Sequence, residues 1–296
     1  MSTHVRNLPN VVFETAVPEL PEVETMRRGL LPLIGGLIDE VEFPNIPYRP
    51  IQRTPTGDAF SKRTRGRTIV AVERIAKRVM VRLDSGDCIV MQPKMAGLAL
   101  IAQPPSQQHV RMVVHVRGAA ASQFIYWDRR GLGTVHLWTP EQCSQNLGPD
   151  QLGPDALAIE PQQWIERFCA LNRPVKPAFL DQKRVAGIGN LYASEILHRS
   201  GVHPAQPCAS ISKRLWLRMF HNMREILMEA IAAEGSTLQD GTYRNAVNGE
   251  GGYQHHHRVY ARQGEKCSTC KKGVIQRSVQ AQRSTFYCPK CQRLKG

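Results

Sequence analysis

No run of apolar residues in this chain approaches the roughly 20 positions needed to span a bilayer, although hydrophobic residues make up 42% of its 296 positions. A membrane-spanning helix is therefore not expected. Residues 1–17 lack both the charged-then-apolar order of a secretion signal and the basic character of a transit peptide. They hold one arginine and one glutamate. A cytoplasmic location is expected, beside the nucleoid if the chain is bacterial. Acid is also scarce: 25 Asp and Glu face 39 Lys and Arg, a net charge of +14 with pI near 9.7. The shortage is sharpest in residues 258–296, where Glu265 is the single acid among ten basic residues. Such a balance implies acidic partners, nucleic acid first. The length suits about two domains.

Four of the eight cysteines lack any short spacing: Cys88, Cys143, Cys169 and Cys208 read as buried thiols. The other four read Cys267-x2-Cys270, then seventeen residues, then Cys288-x2-Cys291. Each pair can present two thiolates from one tight knuckle, and two knuckles complete a tetrahedron around Zn²⁺. With all four positions taken by protein, that metal would be structural, one per chain. Val274-Ile275 and Thr285-Phe286-Tyr287 have strand propensity, so a hairpin is expected between the knuckles. It is too small to build a core and needs the metal.

The N-terminal half reads as strands at Thr68–Arg74, Arg78–Leu83, Val110–Val116 and Gln123–Trp127, with a hairpin turn at Asp84–Asp87. A helix is expected from Pro21, with Glu22 and Glu24 near the positive end of its dipole and Gly35-Gly36 as its stop. Leu147–Pro154, with two Gly-Pro pairs, reads as the linker. The following half is helical. Leu215, Met219, Phe220, Met223, Ile226, Leu227, Ala230 and Ile231 form a core-facing stripe that Gly235 closes. Upstream, Gly187-Ile188-Gly189-Asn190 permits a tight turn whose amides, with the following helix N-terminus, can hold an anion. His255-His256-His257 is not read as a metal site, because neighbours on a strand face opposite ways.

Residues 18–25, Pro-Glu-Leu-Pro-Glu-Val-Glu-Thr, resemble the start of the mature formamidopyrimidine-DNA glycosylases. Lys176, Asp181, the run Gly187–Glu195 and the segment Gln282–Cys291 resemble that family's helix–two-turn–helix and terminal zinc finger. The resemblance implies an α+β chain: an N-terminal β-sandwich with a flanking helix over 18–146, a linker over 147–158, a helix–two-turn–helix domain over 159–254 and a four-cysteine zinc-finger hairpin over 255–296. Residues 1–17 form an extension. Val17 precedes the octapeptide, and because GUG can start translation, Val17 is expected to be the true start.

The same resemblance implies the chemistry. Pro18 would attack C1′ of a damaged nucleotide through its secondary amine. Glu19 would move protons at the sugar, while Lys77 and Arg283 would hold phosphates beside the lesion. Met95, Arg130 and Leu132 would fill the gap left by the extruded nucleotide, with leucine where the family usually has phenylalanine. Lys176, Asn190 and Tyr253 complete the expected DNA contacts. Gln239 and Gln254 also depart from the family pattern. The expected activity is excision of oxidised purines with abasic-site cleavage by a monomer on double-stranded DNA. The alternatives are an endonuclease VIII-like enzyme for oxidised pyrimidines, or a silent damage binder if Pro18 stays within the chain.

Overall fold

The computed structural model describes residues 17–238 and 241–295. The expected extension, but for Val17, and the Gln239 departure lie outside the described residues. The first helix, α1 (Leu20–Gly29), starts where Glu19 caps it: the Glu19 amide donates to the Glu22 carboxylate at 2.9 Å, and Pro21 sits in the first turn. It stops at Gly29, short of the expected Gly35-Gly36. Leu31–Leu33 tightens into a 3-10 turn, because Pro32 has no N–H with which to continue the α-helical ladder.

Among the described residues, nine strands follow in the first half: β1 (Leu37–Glu42), β2 (Gln52–Thr54), β3 (Ile69–Ile75), β4 (Arg78–Leu83), β5 (Cys88–Gln92), β6 (Gly97–Leu100), β7 (Val110–Arg117), β8 (Gln123–Asp128) and β9 (Thr134–Trp138). They form two sheets, ordered β1-β7-β8-β6 and β2-β9-β5-β4-β3. Every pairing is antiparallel except β2 with β9. The inner faces bury Phe60 (from α2, Gly57–Thr64), Ile89, Leu98, Phe124 and Tyr126 in one core, which gives the expected sandwich. Strands β5 and β6 escaped the sequence reading because almost all of their residues are buried, which erases alternation.

After α3 (Pro140–Leu147) come α4 (Pro161–Phe168), α5 (Val175–Phe179), α6 (Asn190–Ser200) and α7 (Lys213–Ala232), capped by the Ser212 hydroxyl. Their core stacks Phe168 on Trp216 at 5.5 Å, with Trp164 and Phe179 around them. A hairpin of β10 (Gln276–Gln280) and β11 (Arg283–Tyr287) closes the chain. The expected first strand of the hairpin starts two residues late, and Val274 instead makes a single bridge to Lys266. The three histidines are not on a strand: Tyr253–His256 is a 3-10 turn, and His257 pairs with the Ser236 hydroxyl.

One helix belongs to both cores. Leu20 packs among the helices, whereas Val23 and Met26 of α1, with Leu30 just after it, pack inside the sandwich. The seam is locked again at Asp155, which accepts both guanidinium nitrogens Nη1 and Nη2 of Arg74 and the Ala76 amide. Glu24 takes Arg74 Nε at 3.3 Å. Ala76 has φ +53°, and the Asp155 carboxylate holds that left-handed residue directly before Lys77. Asp155→Ala is expected to lower the unfolding free energy by about 2–3 kcal/mol, since Arg74 would keep only Glu24 and the Ala76 carbonyl in a largely buried setting. A denaturant titration checks this, and an unchanged midpoint would show that the pair contributes nothing net.

Candidate active site and nucleic-acid interface

Two helix beginnings meet at the seam. Glu19, the cap of α1, is 3% exposed and points at the start of α6, where the Leu191 amide donates to Glu19 Oε1 at 2.9 Å. The amide end of α6 supplies partial positive charge to that carboxylate. Gly189 makes the approach possible: a Cβ there would lie 2.2 Å from the Glu19 carboxyl carbon. Glu22 is equally buried. Its Oε1 accepts from the Tyr192 hydroxyl at 2.6 Å and the Ser236 amide at 3.0 Å. One oxygen of this carboxylate pair, Glu19 Oε2, is buried without a hydrogen-bond partner among the described residues. It is the atom able to take or give a proton to a guest.

The guest space is a cleft of about 600 Å³ along the seam. Pro18 and Glu19 line it from just before α1, Glu22 from α1, Lys77 and Met95 from the sandwich, Asn190 from α6, and Arg283 from the hairpin. Lys77 enters from the turn between β3 and β4 and donates to the Ile188 carbonyl at 3.0 Å. Gln182 holds the same carbonyl at 2.8 Å. Burial pulls the Lys77 ammonium below the ordinary lysine range, while the charges of Glu19 and Glu22 partly hold it up and Arg283 depresses it further. Burial pushes Glu19 up, against the pull of Lys77 and the α6 amides. Burial and the neighbouring Glu19 charge raise Glu22 to about 7. Two adjacent buried carboxyls thus retain a proton near neutrality.

The other expected residues divide by exposure. Arg283 is exposed at the first position of β11, after a turn in which Ala281 and Gln282 both have positive φ. Met95 is half-buried in the turn between β5 and β6 and faces the cleft. Arg130 is exposed and Leu132 half-buried on a loop that Asp128 organises, its carboxylate accepting from the amides of Arg130, Gly131 and Gly133 at 2.7–3.0 Å. Lys176 is not at the surface. It is fully buried, and its ammonium donates to Asn190 Oδ1 at 2.6 Å, the Ser284 carbonyl at 3.0 Å and Thr285 Oγ1 at 2.8 Å. Its place is to hold Asn190 against the hairpin. Tyr253 is 2% exposed and packs on Tyr192 and His256 within the helical core, outside the cleft lining. Gln254 accepts from the Thr237 amide at 3.0 Å and donates to the Gly251 carbonyl, which ties these two segments together.

The sulfurs of Cys267, Cys270, Cys288 and Cys291 all lie within 4.8 Å of one another, an arrangement able to hold a metal ion. Glu195 anchors the entry to this unit by accepting the amides of Arg258, Val259 and Tyr260 at 2.8–3.0 Å. Sequence reasoning missed the coupling roles of Tyr192, Ser236, Gln182, Asp128 and Asp155. Of these, Asp128 had a local signal, an acidic residue before a turn with two glycines; the others act across long stretches of chain.

The comparisons agree with this geometry. Residues 17–135 match the family model of the formamidopyrimidine-DNA glycosylase N-terminal domain, and residues 147–242 match that of its H2TH domain. The chain is 38% identical to the formamidopyrimidine-DNA glycosylase of Caulobacter vibrioides, with 93% of this chain covering all of that protein. It is also 38% identical to the one from Geobacillus kaustophilus, with 94% of this chain covering all of it. Among solved structures, the MutM (Fpg) protein of Thermus thermophilus superposes with a TM-score of 0.81 at 31% identity, over 94% of this chain and all of that one. A Lactococcus lactis Fpg mutant in complex with Fapy-dG-containing DNA gives 0.83 at 28% identity, over 93% and 100%. The fold is thus that of a DNA glycosylase scaffold. The chain belongs to the formamidopyrimidine-DNA glycosylase family.

Because Glu22 sits near 7 in the fold against 4.5 ordinarily, the folded state binds a proton that the unfolded state releases. The stability this contributes is full below about pH 4.5 and is lost as pH rises through 7, amounting to about 3 kcal/mol over that window. Glu22→Gln is expected to flatten the fall in melting temperature between pH 4.5 and 8. Parallel pH slopes for the two proteins would contradict the assignment.

Proposed function

We propose that this chain excises oxidised purines, 8-oxoguanine and formamidopyrimidines, from double-stranded DNA and then cleaves the abasic site, with the amine of Pro18 as nucleophile. The observation that carries this is the cleft in which Pro18 adjoins a buried carboxylate with one unpartnered oxygen, ringed by Lys77, Asn190 and Arg283. The amine nitrogen bonds to C1′, and the bond from C1′ to the base breaks with its electron pair leaving on the protonated base. Loss of the amine proton and opening of the sugar give an iminium, a cation that needs no further proton and accepts electrons from C2′. Glu19 Oε2 is placed to hand protons to and from the sugar. Removal of a C2′ proton then expels the 3′ phosphate, and a second elimination expels the 5′ phosphate. Lys77, Asn190 and Arg283 suit the phosphate contacts, and Lys176 acts on DNA through the Asn190 it holds.

The purine preference rests on the octapeptide and on the Fapy-dG-containing DNA bound by the Lactococcus lactis neighbours. Abasic-site DNA in another Lactococcus complex supports the lyase step. The nucleophile requires that Pro18 be the first residue. Within a peptide its nitrogen shares its lone pair with the Val17 carbonyl and is planar. The active form therefore begins at Pro18.

Zn²⁺ fits the four-cysteine site. Four sulfurs about 2.3 Å from zinc in a tetrahedron are about 3.8 Å apart, and Cys267–Cys291 and Cys270–Cys288 are 3.8 and 3.7 Å apart. Bound there, the ion would cross-link the two knuckles and so fix the base of the hairpin that carries Arg283.

Protein beginning at Pro18 is expected to form a borohydride-trapped adduct with 8-oxoguanine duplex, whereas the full chain binds that duplex without trapping. Trapping by protein whose intact mass still includes residues 1–17 would exclude Pro18 as the nucleophile. Metal analysis should find one zinc per chain. Its removal by a chelator is expected to weaken duplex binding at least tenfold while leaving the helical circular dichroism largely intact; undiminished binding by metal-free protein would count against a structural zinc.

A further inference from the structure

A histidine that the excision chemistry does not use stands against the cysteine cluster. His198 lies in the third turn of α6 and is 4% exposed, and its Nε2 is 3.6 Å from Cys267 Sγ. Cys267 is fully buried. Among the described residues, the ligand atoms that lie within 4.8 Å of one another are the four sulfurs alone. The imidazole is therefore outside the tetrahedron, against one corner of it. The corners are not equally served. Cys270 receives the Gly273 amide at 3.3 Å. Among the described residues no backbone amide donates to Cys267 Sγ, and the nitrogen in contact with it is the imidazole Nε2. A buried thiolate without a donor is costly.

The other ring nitrogen decides the tautomer. His198 Nδ1 is buried and has no hydrogen-bond partner among the described residues. With the proton there, a buried N–H would go unpaired and the Nε2 lone pair would face those of the sulfur. With the proton on Nε2, the N–H meets the sulfur and the orphan is an acceptor, the less costly of the two. The contact is one of three that fasten the metal unit to one face of α6. Glu195, a turn earlier, accepts the amides of Arg258, Val259 and Tyr260. The Val202 carbonyl, just past the helix, accepts from Gln292 Nε2 at 2.8 Å, and Gln292 accepts the Cys288 amide at 2.9 Å. Residues at this spacing share a helix face.

We infer that the His198 imidazole donates its Nε2–H to the Cys267 thiolate when metal is bound, so that α6 itself holds one corner of the metal site. The inference rests on the zinc reading above. The thiol protons leave to water as the metal binds, and the imidazole N–H meets the negative charge they leave on sulfur. Outer partners of this kind fix a ligand's orientation and tune its affinity for the metal. His198 is thus a positioning residue. The helix that carries it begins at Asn190, which lines the cleft, so the metal steadies α6 as well as the hairpin that carries Arg283.

Metal binding tests this without any need for catalysis. In the full chain, His198→Phe keeps a ring in the buried site and removes the N–H, whereas His198→Gln returns an N–H donor near the place of Nε2. Zinc affinity is measured by competition with a chromogenic chelator, and each protein is also loaded with Co²⁺ for its absorption spectrum. His198→Phe is expected to bind zinc about tenfold or more weakly than wild type, the loss that removal of an outer partner causes. Its sulfur-to-cobalt band should move to longer wavelength, because a thiolate without its donor gives up charge more easily. His198→Gln should recover most of both effects. Proton–nitrogen NMR of the zinc-loaded wild type, which needs no variant, should show the Nε2–H tautomer. Unchanged zinc affinity and cobalt spectrum in His198→Phe would overturn the inference, as would an Nδ1–H tautomer, or equal losses in both variants, which mark a packing role. A wild-type cobalt spectrum of three sulfurs and one nitrogen would make His198 a ligand and overturn it too. Wild type that takes up no zinc would sink the zinc reading and this inference with it.

Discussion

The contact on which the rest of the structure depends is the bond from the Leu191 amide to Glu19. It brings the start of α1 against the start of α6, and these belong to different halves of the chain. Neither helix end could be buried alone, because each begins with amides that lack intrahelical partners. The structure resolves this by making each end serve the other: α6 offers amides to a carboxylate of α1, and Glu22 of α1 accepts from Tyr192 of α6 and from Ser236 beyond α7. The consequence is a carboxylate pair held out of water with its ionisation biased toward retaining a proton, which is the condition that acid–base work at neutral pH requires.

From that contact the construction proceeds outward by shared partners. The Ile188 carbonyl, just before α6, takes both Lys77 and Gln182. Asn190 takes Lys176, which reaches on to Ser284 and Thr285 in the hairpin. Lys77 and Lys176 are therefore each positioned against a neighbour from another part of the chain. A buried lysine with three oxygen acceptors is costly to leave half-satisfied, so displacement of the hairpin would be opposed at Lys176 before it reached Arg283. A metal in the cysteine cluster would stiffen the far end of the same hairpin.

Much of this was legible in the sequence, for identifiable reasons. Strands β3, β4 and β7 keep enough alternation to be read, whereas β8, buried at five of its six positions, is marked by its aromatic and β-branched residues. The cysteine spacing announces its site because the ligands come in two local pairs, and the glycines of the turn before α6 announce a close approach. What stayed hidden was burial that depends on distant residues. Lys176 and Tyr253 look like surface DNA contacts in one dimension, yet Lys176 lies under the hairpin and Tyr253 inside the helical core. The end of α1 was misplaced because Gly35-Gly36 looked like the stronger stop, whereas Pro32 had already closed the ladder.

The geometry also separates recognition from chemistry. Glu19 is oriented by Leu191, Glu22 by Tyr192 and Ser236, and Lys77 by Ile188; none of these contacts passes through the Pro18 nitrogen. These contacts are therefore the same whether that nitrogen is an amide or a free amine. The amide is neutral and shares its lone pair with the carbonyl, whereas the amine keeps its lone pair and can be protonated. In the proposed reaction, bond breaking hangs on that single atom, so a Val17–Pro18 peptide would silence it while leaving the contacts that orient Glu19, Glu22 and Lys77 in place.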